Sequence, residues 1–331
     1  MSKKIWHSKG NPWGLFSLYL EILDGLRWCE QNNYTPHIEN IENKHYYSPE
    51  GYNGKMDIWE YYFDPIKAII EKDDEVMTVH DKFMLKEIPQ NFGFRSPDGY
   101  GKRWMKDRVD TWPLVMDKDG WWRHEANRII KKFNIKPNSI VQKKLDSFTE
   151  TKMNAKVKIG IHIRAGRGMK GTYHNDNIKL EAYSNLVLQK IKQLGHDDYV
   201  VFVASDSNVA IQFMEENVPN VVNYSCHRTD DYYQNGKAFD KQIEVGWNEN
   251  LDFMKNNRAQ IGEEAVIECY LLSSCDMMIH WESAVAFAAS YINPDLKLLP
   301  IDIYLGTTTY YQPRISGKYD NNFKGIKKGI L

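Results

Sequence analysis

The chain has 331 residues, enough for two domains, and its 42% hydrophobic and 26% charged residues are typical of a globular protein with an apolar core. Its formal net charge of −1 excludes a general electrostatic attraction to nucleic acid or to an anionic membrane. The sequence shows no apolar signal region and no membrane-spanning run, so we expect a cytoplasmic protein without an integral membrane segment, whose four cysteines are reduced.

The first part of the chain alternates between predicted strands and a helix. A short strand at Ile5–His7 leads through a Gly-rich turn into a segment whose apolar residues repeat at helical spacing between Phe16 and Leu26. Further strands are predicted at Pro36–Glu39 and Val76–His80. This alternation predicts an N-terminal α/β domain over residues 1–145.

The second part of the chain repeats the alternation. Two helices are predicted between Trp121 and Phe148, separated at Pro137, and Asn138 or Ser139 can cap the second one. Strands are predicted at Val157–Arg164, Tyr199–Ala204, Met277–His280 and Leu296–Ile303, and helices at Glu181–Gln193, Glu263–Ser274 and Ser283–Ile292. We therefore expect a second α/β domain over residues 146–331.

Arg164 stands at the C-terminal end of a predicted parallel strand, which is where open α/β sheets bind ligands. The two-residue repeat of a strand places His162 on the same face. The Gly-rich turn that follows, which includes Gly166, lets backbone N–H groups approach an anion. A guanidinium at this position suits a phosphate group, and it equally suits a structural pair with a carboxylate.

Polar residues also follow other predicted strands. Asp206, after Ser205, can contact a ligand or cap the next helix. Ser283 and the N–H groups of its helix start can hold a phosphate, while Glu282 can equally be an acid favoured by the helix dipole. Glu268 lies in an apolar helical pattern, where a carboxylate needs solvent or a partner such as a purine edge.

The same region contains a possible dinucleotide fingerprint. Gly166, Gly168 and Gly171 form G-x-G-x-x-G directly after a strand. The segment then runs into a polar loop instead of a helix, and the acidic residue expected about 20 positions later is missing. An NAD-dependent oxidoreductase is therefore the alternative hypothesis.

Taken together, these segments resemble the motif series of the GDP-fucose-using GT-B glycosyltransferases, which include bacterial α-1,6-fucosyltransferases and protein O-fucosyltransferases. The resemblance is carried by Ile161–Arg164, Val203–Asp206, Glu264–Asp276 and His280–Ala284, with Gly10–Trp28 and Asp57–Pro65 on the acceptor side. It implies an α/β GT-B fold, in which an acceptor-side domain and a nucleotide-sugar-binding domain, both Rossmann-like, face each other across a cleft.

The resemblance also implies an activity, which is inverting transfer of a sugar, fucose from GDP-fucose, to a hydroxyl group of a glycan or glycoconjugate. It assigns the β-phosphate to Arg164, the base to His162 and Glu268, the nucleoside to Asp206 and a phosphate contact to Ser283. A catalytically inactive glycan-binding relative with the same fold is a further alternative.

An inverting transferase needs a base for the acceptor hydroxyl and positive groups for the leaving diphosphate. His174 and Asp176, in the loop after the phosphate segment, are the candidate bases, with His7 as an alternative. No D-x-D pair ends a strand, so we expect Arg164 and N–H donors to neutralise the diphosphate without a metal or other cofactor.

Overall fold

The computed structural model describes residues 2–10, 14–40, 46–79, 121–164, 180–228, 252–281 and 283–301. Within these ranges the strands form two sheets, and every strand pair is parallel. Parallel neighbours need crossover connections, which the intervening helices supply in most cases. The α/β class predicted from the sequence is confirmed.

The first sheet has the order β2-β1-β3 and belongs to the N-terminal half of the chain. Its elements are β1 (Lys4–Ser8), α1 (Leu15–Asn32), β2 (Thr35–Ile38), α2 (Ile58–Tyr62) and β3 (Glu75–Val79). Helix α1 packs closely on β1 at Gly25. A Cβ atom added there would overlap the Trp6 ring, so only glycine fits this position. Asn33 ends this helix in the left-handed conformation, with φ of 59°.

The second sheet has the order β6-β5-β4-β7-β8. Its strands are β4 (Val157–Ile163), β5 (Tyr199–Ser205), β6 (Val221–Val222), β7 (Met277–His280) and β8 (Lys297–Pro300). The helices of this part of the chain are α3 (Trp121–Lys132), α4 (Ser139–Lys152), α5 (Leu180–Leu194), α6 (Asn208–Asn217), α7 (Asp252–Ser273) and α8 (Ala284–Ile292). None of the helices in the described ranges is both long and apolar enough to cross a membrane.

One apolar cluster extends over both halves of the chain. It contains Trp6 and most of the buried face of α1 together with residues of α7 and α8, such as Val266 and Phe287. A second cluster, with Ile161 and Val203, covers the opposite face of the second sheet. The second sheet is therefore buried on both faces, as is usual for a parallel sheet.

Helix α7 carries several of the contacts between the two halves. Its Ala259 carbonyl accepts a hydrogen bond from the Tyr62 hydroxyl at 2.9 Å. Glu263 accepts a hydrogen bond from Asn53 at 2.9 Å and pairs with Lys144 of α4. Gly262 lies against the Tyr62 ring, and a Cβ atom there would overlap the ring and its hydroxyl.

Three sequence expectations differ from the structure in detail. Helix α7 begins at Asp252, well before the predicted Glu263, because the apolar repeat that predicted it covers only its later turns. Ser207, not Asp206, caps α6, and its hydroxyl accepts a hydrogen bond from Ala210 N–H. The predicted domain boundary between residues 145 and 146 lies inside α4, whose N-cap is Asn138 as expected.

Candidate functional site

The register of the second sheet brings the predicted strand-end groups together. β4 lies between β5 and β7, with Ile163 opposite Ser205 and His162 opposite His280. Arg164 and Asp206 directly follow the first of these pairs. Polar groups from three strands thus meet at one carboxyl edge of the sheet, as the sequence predicted.

Arg164 lies where the two halves of the chain meet. Burial lowers the pKa of its guanidinium, while the Asp206 carboxylate and the Tyr46 hydroxyl act in the opposite direction. Tyr46 comes from the N-terminal half, and its hydroxyl accepts a hydrogen bond from Leu15 N–H at 3.1 Å. The arginine is therefore a partly buried positive charge beside one carboxylate, and it can bind an anion or serve as a structural partner of Asp206.

His162 and Ser283 contact each other across two elements. The Ser283 hydroxyl lies 3.3 Å from His162 Nδ1 and also accepts a hydrogen bond from Ala286 N–H at 3.1 Å, as the N-cap of α8. Both side chains are buried. This contact joins the positive end of the α8 dipole to the end of β4, the strand that leads to Arg164.

Glu268 has the partner that its apolar surroundings require, and this partner is Arg228. Arg228 Nη1 donates to Glu268 Oε1 at 3.1 Å and to the backbone oxygen of Ser205, while Nη2 donates to Tyr224 O at 2.9 Å. Burial raises the pKa of Glu268 to about 7, although Arg228 acts to lower it, and the charge of Asp206 raises it further. Arg164, Asp206, Glu268 and Arg228 are therefore coupled charges, in which each carboxylate has one arginine partner and the two carboxylates repel each other.

A second buried carboxylate lies one helical turn before Glu268. Glu264 accepts a hydrogen bond from His227 N–H at 2.8 Å and another from Gln260 Nε2 at 3.0 Å. The His227 ring nitrogen Nδ1 is 2.8 Å from the same carboxylate. Because Gln260, Glu264 and Glu268 are spaced by four residues, one face of α7 holds the segment 224–228 beside the end of β5.

Arg228 and His227 were not predicted from the sequence, and Glu264 was included only as the first residue of the motif Glu264–Asp276. Strand β6 has only two residues, Val221–Val222, and no alternation identifies so short a strand. A signal was nevertheless available, because two carboxylates four residues apart on an apolar helix require buried partners on one side. The polar segment after Val222 supplies those partners.

Four of the predicted site residues lie outside the described residues. These are Gly166, His174, Asp176 and Glu282. The glycines of the dinucleotide fingerprint lie there as well. The described members of the predicted site are His162, Arg164, Ser205, Asp206, Glu268 and Ser283, and the contacts above bring them to one edge of the second sheet.

His7, the alternative base, lies in the first sheet. Its Nε2 is 3.0 Å from the Glu39 carboxylate. Burial lowers the pKa of His7, and the hydrogen bond with Glu39 acts in the opposite direction. A neutral imidazole of this kind is able to accept a proton.

Two parallel α/β sheets, with a partly buried arginine at the carboxyl edge of the second, are the architecture found in enzymes of the GT-B type. Residues 93–296 match the nodulation protein Z (NodZ) family. The match covers more than half of the chain, so the chain belongs to the NodZ family, and the predicted family resemblance is confirmed. A comparison with curated proteins found no match.

Several solved structures are similar to the chain. NodZ alpha-1,6-fucosyltransferase soaked with GDP-fucose shares 15% identity and a TM-score of 0.48, covering 88% of this chain and 93% of that one. Fucosyltransferase NodZ from Bradyrhizobium shares 16% identity and a TM-score of 0.49, covering 87% and 92%. POFUT1 in complex with GDP-fucose shares 12% identity and a TM-score of 0.45, covering 90% and 98%. Because these scores are below 0.5, the family assignment rests on the NodZ match.

Proposed function

We propose that the chain transfers fucose from GDP-fucose to a hydroxyl group of a glycan or glycoconjugate, with inversion at the anomeric carbon. NodZ family membership supports this proposal, and the similar NodZ and POFUT1 structures were determined with GDP-fucose. The observation that carries it is the partly buried guanidinium of Arg164 at the carboxyl edge of the second sheet, near Tyr46 of the N-terminal half. The family assignment favours this function over NAD-dependent oxidation.

In this proposal Arg164 binds the β-phosphate of the donor. A guanidinium can hold two phosphate oxygens in a fixed plane, and a desolvated one forms stronger charge-assisted hydrogen bonds. A diphosphate would compete with Asp206 for this group. The N-terminus of α8, reached through Ser283, supplies further N–H donors and a favourable dipole for the same anion.

The guanosine is placed along α7 beside Glu268. A guanine edge offers adjacent N–H donors, and a carboxylate accepts more than one hydrogen bond. Arg228 keeps the Glu268 carboxylate in place, and Asp206 is close enough to both Glu268 and Arg164 to act on the pKa of each. The donor half, residues 146–331, would thus bind the nucleotide, and residues 1–145 would provide the acceptor side.

The transfer is a single displacement. The acceptor oxygen forms a bond to the anomeric carbon, the bond from that carbon to the β-phosphate oxygen breaks, and GDP leaves with its electron pair. The acceptor proton passes to a base, for which His174 and Asp176 are our candidates and His7 is the alternative. Arg164 and the N–H donors stabilise the charge that develops on the diphosphate, without a metal. We further propose that this takes place in the cytoplasm.

A direct assay tests the proposal. The purified chain is incubated with GDP-fucose and a panel of oligosaccharides, and we expect GDP release together with a mass gain of one deoxyhexose on the acceptor. Thermal shifts with GDP and NAD separate the alternatives, because a ligand at 100 times its Kd adds about 2.7 kcal/mol. Stabilisation by NAD alone would contradict the transferase, while GDP binding without transfer to any acceptor would favour an inactive relative.

A further inference from the structure

His7, His37 and Glu39 share one face of the first sheet. His7 on β1 and His37 on β2 are opposite each other in the parallel register, and their ring centroids are 4.9 Å apart. Glu39 follows His37 by two residues and therefore projects to the same side. Its N–H donates to Ser8 O at 2.8 Å, which extends the strand pairing and fixes Glu39 beside β1.

We propose that His7, His37 and Glu39 form a binding site for a divalent first-row metal ion of the zinc type. One ligand atom from each residue lies within 4.8 Å of the others. Two imidazoles and a carboxylate are a common donor set for Zn²⁺, with metal–ligand distances of about 2.0–2.2 Å. Small side-chain rotations would bring the three atoms to the spacing of roughly 3–3.5 Å that such distances require.

The second ring nitrogen of His37 has the contact that a metal ligand needs. Its Nδ1 lies 3.1 Å from the carbonyl oxygen of Ala68 and 3.2 Å from the N–H of the same residue. This nitrogen can thus donate or accept. A metal ion at Nε2 selects the form that donates to the Ala68 carbonyl, and backbone carbonyls are frequent partners of metal-bound histidines.

The degree of exposure fits an ion that enters from solvent. The His7 side chain is 12% exposed and the Glu39 side chain 39% exposed. Three protein ligands leave at least one coordination position for water or another small ligand. Such an open position distinguishes this kind of site from closed structural sites, which have four protein ligands. Within the described ranges, no other group of three His, Cys, Asp or Glu residues has this spacing.

A simple hydrogen bond between His7 and Glu39 does not account for the whole arrangement. That bond, at 3.0 Å, involves two of the groups, while His37 is held by Ala68 with its ring against that of His7. A metal ion would engage all three. The site lies in the first sheet, whereas Arg164 follows a strand of the second, so metal binding can be tested without the transferase activity. A metal ion bound to His7 would exclude this residue as the alternative base.

Metal binding to the untagged chain tests the proposal. After treatment with EDTA and its removal, the protein is titrated with zinc against a chromogenic chelator, and bound zinc is counted by atomic emission after dialysis. We expect one tightly bound equivalent. His37→Gln, His7→Gln and Glu39→Gln should each weaken binding by at least about 10-fold, since even loss of a group that supports a ligand costs 10- to 100-fold.

His196→Gln is the matched control, because His196 is exposed and lies far from this cluster in sequence. It should bind zinc as the wild type does. Circular dichroism of each variant separates loss of a ligand from loss of fold, and Glu39→Gln, at a partly exposed position, is the variant least able to disturb the sheet. A wild-type chain that retains no zinc, or folded variants at all three positions that retain it, would overturn the proposal.

Discussion

The guanidinium of Arg228 lies 3.1 Å from the Glu268 carboxylate, and the arginine is only 3% exposed. The same guanidinium donates to the backbone oxygen of Ser205, the last residue of β5. A carboxylate on α7 is thereby linked to the end of the neighbouring strand by one side chain. We expect this link to support both the stability of the second sheet and the position of the donor nucleotide.

Replacing Arg228 should destabilise the fold strongly. Arg228→Ala leaves the Glu268 carboxylate buried without its partner, and removing one member of a buried pair costs roughly 3–5 kcal/mol. Urea denaturation measures this loss. The double variant Arg228→Ala, Glu268→Gln should lose less than the two single changes added together, because the second change removes the unpaired charge. Strict additivity would show that the pair contributes no coupling.

Glu268 should make stability depend on pH. Its pKa is raised to about 7 in the folded chain, so the folded state holds a proton that the unfolded state has already released. The contribution of Glu268 to the free energy of unfolding is therefore fully present below the usual Glu pKa. It is lost as pH rises through about 7, by at most about 3 kcal/mol. Glu268→Gln should flatten this slope in denaturation curves between pH 5 and 8.

Glu264→Gln, one turn earlier on α7, is the control for that measurement. It retains Glu268 and should keep the downward slope. If the wild type and Glu268→Gln instead showed the same slope across this range, the titrating group would have to be another residue.

Arg164 should be required for transfer and much less for folding. Arg164→Lys keeps a positive charge but loses the planar fork that bridges two phosphate oxygens, so both it and Arg164→Ala should lower kcat/KM. Loss of a donor aimed at developing charge costs roughly 3–4 kcal/mol, a factor of a hundred or more. The two variants should melt close to the wild type. Near-normal transfer by a variant with a much lower melting temperature would make Arg164 a structural partner of Asp206.

Transfer should continue in EDTA. We assign the neutralisation of the diphosphate to Arg164 and the N–H donors at the start of α8. GDP release in EDTA should therefore match the rate with added magnesium or manganese. Activity that disappears in EDTA and returns with either ion, in the wild type and in Glu39→Gln alike, would place a metal at the donor site.

Gly262→Ala should destabilise the contact between the two halves. Alanine in a helix interior is favoured over glycine by about 1 kcal/mol, but the new methyl group would overlap the Tyr62 ring. Overpacking of this kind costs typically 1–3 kcal/mol, so we expect a net loss in thermal or urea unfolding. A variant more stable than the wild type would show that Tyr62 moves aside freely.

The regular elements of this fold were predictable, and the contacts at the edge of its sheet only partly so. Apolar repeats located β4, β5 and β7, and parallel topology then placed Arg164 and Asp206 together. Ser207 caps α6 instead of Asp206. Capping preferences do not distinguish these two neighbouring residues, since both residue types cap helices. Arg228 was missed because β6, the strand that precedes it, is too short to show a period, and its partner Glu268 is 40 residues away.

Helix α7 has a further consequence for how substrates reach the chain. It holds the N-terminal half through the Tyr62–Ala259 and Asn53–Glu263 hydrogen bonds and carries Glu268 on another face. Separating the halves would break both bonds, and each bond has a net value of roughly 1 kcal/mol. Together the two bonds reduce the population of a separated form by a factor of up to about 30. Together with the apolar cluster that both halves share, these bonds oppose separation of the halves, and under the proposed function an acceptor would meet a donor site that is assembled before either substrate arrives.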